Sequence, residues 1–448
     1  MSTKHYNALI LGSGQAGTPL ATHIKSLGQS VCLVERAHIA GYCVNEGCTS
    51  TRLWGDGAEV KIDMEKVRQR KRDIVTSFRG GSEKRLENAG VDVVVGSARF
   101  VGTREVDVTL NKGGEVRSLS ADKVFVNVGC RPIQELGQVP SHLVVIGGGV
   151  IGLEFSQLFR RLGAKVTIIQ RGPRLLGKRD DPELAECMYS ILTEDGIDIL
   201  LNSTIQHISP DTDTRLPLVS TRTGPDQHEK ELKASHILIA TGRTPNTDTL
   251  NLQAAGIKTT STGHIIITPS LATNIPGVYT LGDVKGGPGF THVSYDDFRI
   301  VRDNLYPHPN QLSKSVRTTE DRAPFVPSTT FTDPQFATVG PPLASLSKEK
   351  TYVTYSMPTS WIARGLETDE TRGMLKAVID PETDKIVNFS AIAVEAGEIM
   401  CVVQMAMMGG LTWMDSRDGV FAHPGWIECL NNVWGGERRE VRVGGERT

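Results

Sequence analysis

No run of apolar residues in the chain reaches the ~18 that a transmembrane helix needs, so no membrane-spanning segment is expected. The opening residues, MSTKHYNALILGSG, lack the basic region, apolar stretch and cleavage site of a secretory signal, and we expect a cytoplasmic protein. The formal net charge is only -2. This value excludes a broad electrostatic attraction to nucleic acid or to a membrane surface.

Cysteine is also scarce, with 7 residues in a chain of 448. The odd count argues against a disulfide framework in an intracellular protein. Only Cys43 and Cys48, in the segment GYCVNEGC, lie close together in sequence. A structural zinc site usually takes two close pairs of Cys or His, and no second pair of that kind is present, so no metal site is predicted.

The pair Cys43 and Cys48 has two other interpretations. A structural disulfide across so short a loop would contribute only ~2 kcal/mol, and it would not persist in a reducing cytosol. A redox-active dithiol is favoured by the segment CTSTRLW, which can begin a helix whose N-terminus lowers the pKa of a thiol. The four residues between the two cysteines allow their sulfur atoms to reach each other.

A dinucleotide-binding unit is predicted near the N-terminus. YNALILG is typical of a buried strand, SGQAGTPLATHIKSLG of a helix, and QSVCLVER of a second strand. Gly12, Gly14 and Gly17 have the G-x-G-x-x-G spacing that gives a tight turn, access for a pyrophosphate and close packing of the helix. Glu35 ends the second strand, where a carboxylate accepts hydrogen bonds from a ribose. The alternative is a Gly-rich turn in an ordinary α/β unit.

The same pattern repeats in SHLVVIGGGVIGLEFSQLFRRLGAKVTIIQRG, with Gly147, Gly149 and Gly152 at its turn. Two such units indicate two nucleotide cofactors and a relay between them. The second unit ends at Gln170 and Arg171, so it has no carboxylate for a ribose 2′-hydroxyl, whereas an arginine can pair with a 2′-phosphate. This difference favours NADPH over NADH, the alternative being an exposed arginine on a loop.

Two further apolar strands end in glycine turns. HILIATGRTPNT turns at Gly242, and TNIPGVYTLGDV turns at Gly282 and Asp283. An acid at that place can reach a ribityl or phosphate oxygen, although such an aspartate by itself is more often a turn residue. Residues 290–325 are polar and contain prolines, which predicts a connection between domains.

The C-terminal part of the chain predicts a third domain. STTFTDPQFATVG, GMLKAVID and KIVNFSAIAV are typical of antiparallel strands, and GEIMCVVQMAMMGG is typical of a helix with a Met-rich face in the core or at a subunit contact. The charged, Gly-rich tail GGERREVRVGGERT is expected to be mobile.

A dithiol that exchanges with a substrate also needs an acid–base group. The segment GVFAHPGWIECLNNVW supplies His423, and histidine is the side chain that titrates near neutral pH. Glu428, five residues later, can orient the imidazole ring. The alternative is a simple His-Pro turn. This alternative is less favoured because the sequence offers the cysteines no other base.

Together these motifs resemble the flavin-dependent pyridine nucleotide-disulfide oxidoreductases of the glutathione reductase, dihydrolipoamide dehydrogenase and mercuric reductase type. The resemblance runs nearly from end to end and keeps the family's order: GSGQAG, GYCVNEGC, GGGVIGLEF, ATGRTPN, PGVYTLGD and AHPGWIE. Segments such as RKRDIV, GDVKGGPGFTHVSYDDFRI and MAMMGGLT are typical of mercuric-reductase-like flavoproteins of unassigned substrate.

The resemblance implies an α/β protein with two Rossmann-like nucleotide-binding domains, for FAD and NAD(P), and a C-terminal α+β dimerisation domain. The expected FAD domain is discontinuous and takes residues 1–139 and 262–325. The expected NAD(P) domain covers residues 140–261, and the interface domain covers residues 326–448. The resemblance also implies a homodimer.

The resemblance further implies an electron relay. NAD(P)H would reduce FAD, and FAD would reduce the disulfide through Cys48, the sulfur expected to face the flavin. Cys43 would be the interchange thiol that meets the substrate. His423 with Glu428, contributed by the partner subunit, would act as base and acid.

Other positions match or depart from the family pattern. Glu154 matches the glutamate that pairs with a lysine beside the flavin, and Asp283 matches the flavin-binding acid. Arg52 stands where that lysine is expected and Ser50 where a proline is usual, and a guanidinium differs from an ammonium in reach and geometry. The segment LWGDGAEV replaces a longer helical run, and the linker between VNVGCRP and IQELGQVP is short. The resemblance to mercuric reductases does not extend to their heavy-metal domain or to their C-terminal vicinal Cys pair, so neither is expected here.

The sequence therefore predicts an enzyme, an FAD-dependent NAD(P)H:disulfide oxidoreductase whose acceptor is a small disulfide or another electrophile. The first alternative is a metal-ion or quinone reductase that uses the flavin. The second alternative is a redox-responsive pseudoenzyme, because the shortened segments can weaken FAD binding.

Overall fold

The computed structural model describes residues 3–41, 45, 64–130, 139–177, 181–224, 226, 228–307 and 316–443. The chain divides into two compact units. Unit 1 consists of Met1–Glu135 and Gly242–Arg322, and unit 2 consists of Leu136–Thr241 and Ala323–Thr448. The three domain boundaries expected from the sequence stay a prediction.

The helices and strands of the described ranges are numbered in chain order. The helices are α1 Gly17–Ser26, α2 Met64–Asn88, α3 Val150–Arg161, α4 Pro182–Glu194, α5 Thr291–Leu305, α6 Thr319–Arg322, α7 Ala363–Glu367, α8 Ala396–Met408, α9 Trp413–Asp418 and α10 Cys429–Asn432. The strands are β1 Lys4–Leu11, β2 Val31–Glu35, β3 Asp92–Gly102, β4 Glu105–Leu110, β5 Val116–Val126, β6 His142–Ile146, β7 Lys165–Ile169, β8 Asp198–Leu200, β9 Thr204–Pro210, β10 Pro217–Thr223, β11 His228–Lys233, β12 His236–Ile239, β13 Val278–Thr280, β14 Ser328–Thr330, β15 Gln335–Val339, β16 Thr351–Pro358, β17 Met374–Asp380, β18 Lys385–Ala393 and β19 Glu437–Arg442.

Unit 1 is built on a mainly parallel sheet in which β1 lies between β2 and β5. β3 extends the parallel pairing beyond β2, and β13 extends it beyond β5. The second half of β1, Ala8 to Leu11, is almost fully buried, as expected for a parallel strand that is covered on both faces. α1 contributes Leu20 and Ile24 to the core on one of these faces.

Unit 1 also contains a helix that the sequence did not predict. α5 lies inside residues 290–325, which were expected to be a connection, and that expectation is wrong for Thr291–Leu305. Val293, Phe298, Ile300 and Val301 are buried on one side of the helix. Acidic and basic residues lie between these positions, so the overall polarity of the segment does not indicate an apolar face.

Unit 2 contains a parallel sheet in the order β12-β6-β7-β8 and an antiparallel sheet in the order β11-β10-β9. Its C-terminal part is an antiparallel sheet in the order β14-β15-β18-β17-β16-β19. α8 buries Ile399 and Val403 in one cluster with Phe389 of β18. The antiparallel strands and the Met-containing helix expected here are therefore confirmed.

The C-terminal tail departs from its prediction. Glu437–Arg442 forms β19, which pairs antiparallel with β16 at the edge of the sheet, so the expected mobility is wrong for these six residues. Charged side chains suit an edge strand because they discourage further strand pairing. Among the helices described above, none is both long enough and apolar enough to cross a bilayer.

Candidate active site

The predicted glycine turn of unit 1 has the backbone that the spacing requires. Gly12 has φ +100°, and a Cβ atom there would lie 2.3 Å from the backbone oxygen of Asn127. A Cβ atom on Gly17 would lie 2.1 Å from the backbone oxygen of Gly12. Side chains do not fit at either position, so α1 approaches the end of β1 closely enough to expose its N-terminal peptide groups.

Glu35, at the end of β2, holds this turn. Its Oε2 atom accepts hydrogen bonds from the backbone nitrogen of Ser13 at 2.9 Å and from the Ser13 hydroxyl at 2.7 Å. Its Oε1 atom accepts one from the backbone nitrogen of Ala37 at 2.9 Å. The sequence predicted a ribose contact for Glu35 but not this support of the turn.

A cavity of about 240 Å³ in unit 1 brings several of the predicted residues together. Gly12, Gly14, Glu35, Gly282 and Asp283 all line it. Gly17 and Gly242 are not among its lining residues. The bare backbone at two glycines and the carboxylates at the wall form a cradle that fits the phosphates and hydroxyl groups of a dinucleotide.

Asp283 is held in the cavity wall by an arginine that the sequence reasoning passed over. Nη1 of Arg243 lies 3.0 Å from the Oδ2 atom of Asp283 and also donates to the backbone oxygen of Gly289 at 3.0 Å. The Sγ atom of Cys130 lies 3.8 Å from the backbone oxygen of Asp283. Burial, together with the charge of Asp283, raises the pKa of Cys130 to about 11.

Gly282 is fixed by residues that lie outside the cavity lining. Its backbone nitrogen donates to the Oδ2 atom of Asp297 at 2.8 Å, and its backbone oxygen accepts from Nζ of Lys285 at 3.3 Å. The same Nζ atom lies 2.9 Å from Oδ2 of Asp297. Asp297 lies on α5, in the segment expected to be a connection, and no role was predicted for it although the quoted motif GDVKGGPGFTHVSYDDFRI contains it.

The glycine turn of unit 2 repeats the geometry of the first. Gly147 has φ +110°, and a Cβ atom on Gly152 would lie 1.9 Å from the backbone oxygen of Gly147. Oε1 of Gln170 accepts a hydrogen bond from the backbone nitrogen of Gly148 at 3.0 Å, which matches the contact of Glu35 with Ser13. Arg171 is exposed beside it.

The predicted redox segment GYCVNEGC is described at Gly41 and Asn45. Cys43, Cys48, Ser50 and Arg52 lie outside the described residues, as does the short linker at residues 131–138. Asn45 is 8% exposed, and its Nδ2 atom donates to the backbone oxygens of Ile39 at 3.0 Å and Gly41 at 2.8 Å. Its Oδ1 atom accepts a hydrogen bond from Nε of Arg79, on α2, at 2.7 Å.

Glu154, the predicted partner of the residue beside the flavin, lies on α3. Its Oε1 atom accepts a hydrogen bond from the backbone nitrogen of Phe331 at 2.8 Å. The predicted pairing of Glu154 with Arg52 stays a prediction, since Arg52 lies outside the described residues.

His423 and Glu428 form the contact expected from their spacing. Nδ1 of His423 lies 2.9 Å from each carboxylate oxygen of Glu428. The histidine side chain is 63% exposed and the glutamate side chain 26% exposed. Because Nδ1 donates to the carboxylate, Nε2 is left to exchange a proton. α10 begins at the residue after Glu428 and so sets the position of Glu428.

The cysteines in the described ranges are free thiols: Cys32, Cys130, Cys187, Cys401 and Cys429. Burial raises the pKa of each of them above that of an ordinary thiol. None of these five is therefore activated as a nucleophile. The described residues contain no group of three or more His, Cys, Asp or Glu side chains placed to hold a metal ion.

Two protein-family models match the chain. The model described as pyridine nucleotide-disulphide oxidoreductase matches residues 6–135 and 133–297. The model described as the dimerisation domain of pyridine nucleotide-disulphide oxidoreductases matches residues 326–433.

Curated relatives and a solved structure extend the similarity. The probable pyridine nucleotide-disulfide oxidoreductase RclA of Escherichia coli is 30% identical, over 96% of this chain and 98% of its own length. A mercuric reductase of Bacillus cereus is 32% identical, over 92% of this chain and 68% of its own length. The Cu(II) complex of the HOCl-induced flavoprotein disulfide reductase RclA from Escherichia coli has a TM-score of 0.86 at 30% identity, covering 97% of this chain and 99% of that one. The predicted fold class and the resemblance are thereby confirmed.

Proposed function

The chain belongs to the pyridine nucleotide-disulphide oxidoreductase family, and we propose that it reduces a small disulfide through Cys43 and Cys48, with NADPH as the preferred reductant. As a member of the family it is an oxidoreductase that uses FAD and a pyridine nucleotide. The observation that carries the proposed acceptor is the contact between His423 and Glu428. This contact supports a proton-exchanging role for the imidazole, which would assist thiol–disulfide exchange.

The cavity of unit 1 supports the binding of FAD. Gly12 and Gly14 would let the pyrophosphate approach the backbone, and Glu35 and Asp283 would accept hydrogen bonds from hydroxyl groups of the cofactor. When bound, FAD supplies a two-electron carrier between the pyridine nucleotide and the dithiol. The turn of unit 2 at Gly147, with Gln170 and Arg171, is proposed to receive the nucleotide.

The exchange with the substrate is proposed to use the two cysteines in turn. The thiolate of Cys43 attacks one sulfur of the substrate disulfide, forming a mixed disulfide and releasing one thiolate. The thiolate of Cys48 then attacks Cys43, releasing the second thiolate and forming the Cys43–Cys48 disulfide. One substrate disulfide is thus reduced to two thiols while one dithiol is oxidised.

His423 is proposed to move the protons of this exchange. Glu428 accepts the Nδ1 hydrogen and holds the ring, so that Nε2 can accept a proton from a cysteine thiol and return it to the departing thiolate. We place this pair opposite the cysteines of a partner subunit, as in the family. The match of the dimerisation domain over residues 326–433 supports a homodimer.

Arg171 supports NADPH over NADH. In place of a carboxylate, unit 2 has Gln170, which bonds to the backbone nitrogen of Gly148, and an exposed Arg171 follows. A guanidinium forms two charge-assisted hydrogen bonds with a 2′-phosphate, whereas a 2′-hydroxyl carries no negative charge with which it can pair. A cytoplasmic location, where NADPH is plentiful, fits the same proposal.

Reduction of a metal ion or a quinone is the second candidate function. Relatives named mercuric reductase are about 30% identical to the chain, and RclA has been solved with Cu(II). In this case the reduced flavin would serve the acceptor and the dithiol would be an accessory. A redox-responsive protein without turnover is the third candidate, and a purified protein without a yellow flavin spectrum would favour it.

The variant Cys43→Ser distinguishes the first two candidates, and Cys401→Ser is its control because Cys401 is an exposed free thiol on α8. Turnover of NADPH with a disulfide, with a quinone and with a metal ion is compared in both variants. We expect Cys43→Ser to lose only disulfide reduction, and Cys401→Ser to keep all activities. Disulfide reduction that survives Cys43→Ser would refute the proposed exchange.

A further inference from the structure

A buried carboxylate outside the cavity controls the turn that carries Asp283. Asp297, on α5, is 0% exposed, and the side chain of Lys285 is 6% exposed. Between them they engage both backbone polar groups of Gly282: Asp297 accepts its N–H hydrogen and Lys285 donates to its carbonyl oxygen. Gly282 has φ +73°, a left-handed conformation that glycine adopts without strain, so the two contacts select this conformation from the several that are open to glycine.

The space beside the Cα atom of Gly282 is closed as well. A Cβ atom on Gly282 would lie 2.6 Å from the side-chain amide of Asn127, which lines the cavity. The backbone of Gly282 therefore has little room to move, and it sets where the chain of Asp283 enters the cavity wall. The carboxylate of Asp283 is then held by Arg243 at 3.0 Å.

A contribution to the free energy of unfolding does not explain why charged side chains surround Asp297. Its second oxygen accepts from Nη2 of Arg322 at 2.6 Å, so that one buried carboxylate meets two cations, Lys285 and Arg322. Removing such charges from water offsets most of their attraction, and apolar side chains of similar volume are often as stabilising. Buried ions are better suited to fixing a geometry, because displacing one of them leaves a charge without a partner.

We propose that Asp297 is a positioning residue for FAD. Asp297 is not among the residues that line the cavity, and it acts through Gly282, whose peptide sets the direction of Asp283. Its charge keeps Lys285 on the carbonyl oxygen of Gly282, and its oxygen keeps the N–H group of Gly282 in place. Loss of the charge frees this turn and weakens FAD binding without removing any cofactor contact.

The test compares Asp297→Asn with Asp303→Asn. Asparagine keeps an oxygen for the N–H group of Gly282 but loses the charge that holds Lys285. Asp303 is the matched control, because it is a carboxylate of the same helix with a 7% exposed side chain, and it pairs with Arg302 and Arg317 instead. FAD is removed, and the dissociation constant of FAD for each apoprotein is measured by quenching of flavin fluorescence.

We expect D297N to bind FAD at least tenfold more weakly than the parental protein, and D303N to bind it as tightly. The titrations are made at a temperature at which far-UV circular dichroism shows every apoprotein folded, so that general destabilisation does not enter. At saturating FAD, the visible circular dichroism of the flavin is expected to change in D297N only. Parental affinity and parental dichroism in D297N would overturn the proposal.

A double variant keeps the test decisive if D297N does not fold. Lys285→Met with Asp297→Leu replaces the ion pair by apolar side chains and leaves Arg322 its second partner, Asp296, at 2.9 Å. We expect this protein to fold and still to bind FAD at least tenfold more weakly. A folded double variant with parental FAD affinity would overturn the proposal. No acceptor enters these measurements, so their outcome is separate from that of the proposed disulfide reduction.

Discussion

Arg79 donates its Nε hydrogen to the side-chain oxygen of Asn45 at 2.7 Å, which connects α2 to one of the four residues between the two predicted redox cysteines. The amide of Asn45 is fully engaged, since its nitrogen donates to the backbone oxygens of Ile39 and Gly41. Among the described residues, no carboxylate forms an ion pair with the half-buried guanidinium of Arg79. The guanidinium of Arg79 therefore stabilises the predicted redox segment through Asn45 instead of taking part in a surface ion pair.

The substitution Arg79→Met is expected to lower disulfide turnover about tenfold, because an unpaired buried amide oxygen costs about 1–3 kcal/mol. Methionine keeps the aliphatic packing of the arginine stem. FAD content, read from the absorbance ratio of flavin to protein, is expected to stay parental. Arg85→Met is the control, since Arg85 is an exposed residue of the same helix. Equal disulfide turnover in both variants would show that Asn45 needs no support.

The substitution His423→Gln is expected to lower disulfide turnover by roughly 10²-fold or more, the usual range for loss of a general acid–base group. Reduction of the flavin by NADPH, followed in a stopped-flow instrument, is expected to remain unchanged because His423 serves only the exchange step. His207→Gln, at an exposed position of β9, is the control. If H423Q turned over disulfide at the parental rate, His423 would be only a turn residue.

Glu428→Gln is expected to act through the same histidine and to lower disulfide turnover about tenfold, because a charge-assisted hydrogen bond contributes about 1.5–3 kcal/mol. Both carboxylate oxygens of Glu428 lie 2.9 Å from Nδ1 and orient the ring. In the H423Q background no imidazole is left to orient, so E428Q is expected to cause no further loss of turnover. Losses that multiply in the double variant would contradict this coupling.

Two glycines of the second turn are expected to differ. Gly152→Ala places a methyl group 1.9 Å from the backbone oxygen of Gly147 and should destabilise unit 2. Gly149 has nothing within 4 Å of a built Cβ atom, so Gly149→Ala should change the free energy of unfolding by no more than about 0.5 kcal/mol. G149A should nevertheless raise the KM for NADPH, because the pyrophosphate needs bare backbone there. A parental KM in G149A would place the nucleotide elsewhere.

Arg171→Gln is expected to lower the ratio of kcat/KM for NADPH to that for NADH about tenfold, since a charge-assisted hydrogen bond contributes about 1.5–3 kcal/mol. Arg222→Gln, an exposed arginine of β10, controls for the general loss of a positive charge from unit 2. Steady-state kinetics with both nucleotides measure the ratio. An unchanged ratio in R171Q would leave the NADPH preference without its proposed cause.

Much of the candidate site was predictable, because chemistry at a nucleotide turn constrains the backbone itself. Gly12 and Gly147 have the positive φ values that the spacing requires, and His423 meets Glu428 because the two are near in sequence. Arg243 and Asp297 were missed for a different reason. Arg243 contacts Asp283, 40 positions away, and Asp297 contacts Gly282, 15 positions away, and no local pattern encodes such contacts.

The prediction of secondary structure was wrong in two segments, because a high content of charged residues does not by itself indicate an exposed, irregular chain. α5 carries several charged side chains, yet it buries Phe298 and Ile300, and its ion pairs with the following segment satisfy those charges. The charged, Gly-rich composition around β19 predicts a mobile tail, although the backbone of β19 pairs with β16. In both cases the deciding contacts come from tertiary structure.

The walls of the cavity in unit 1 have a consequence for the order in which the protein is made. Gly12 and Glu35 leave the ribosome early, whereas Asp283 emerges only after Leu136–Thr241 of unit 2 has been synthesised. Domains fold as their chains emerge, so the first nucleotide turn must wait, incomplete, while another fold forms. FAD can therefore bind at a complete site only in the last third of synthesis. Its binding then stabilises a unit whose chain has already been made, and it does not nucleate the folding of that unit.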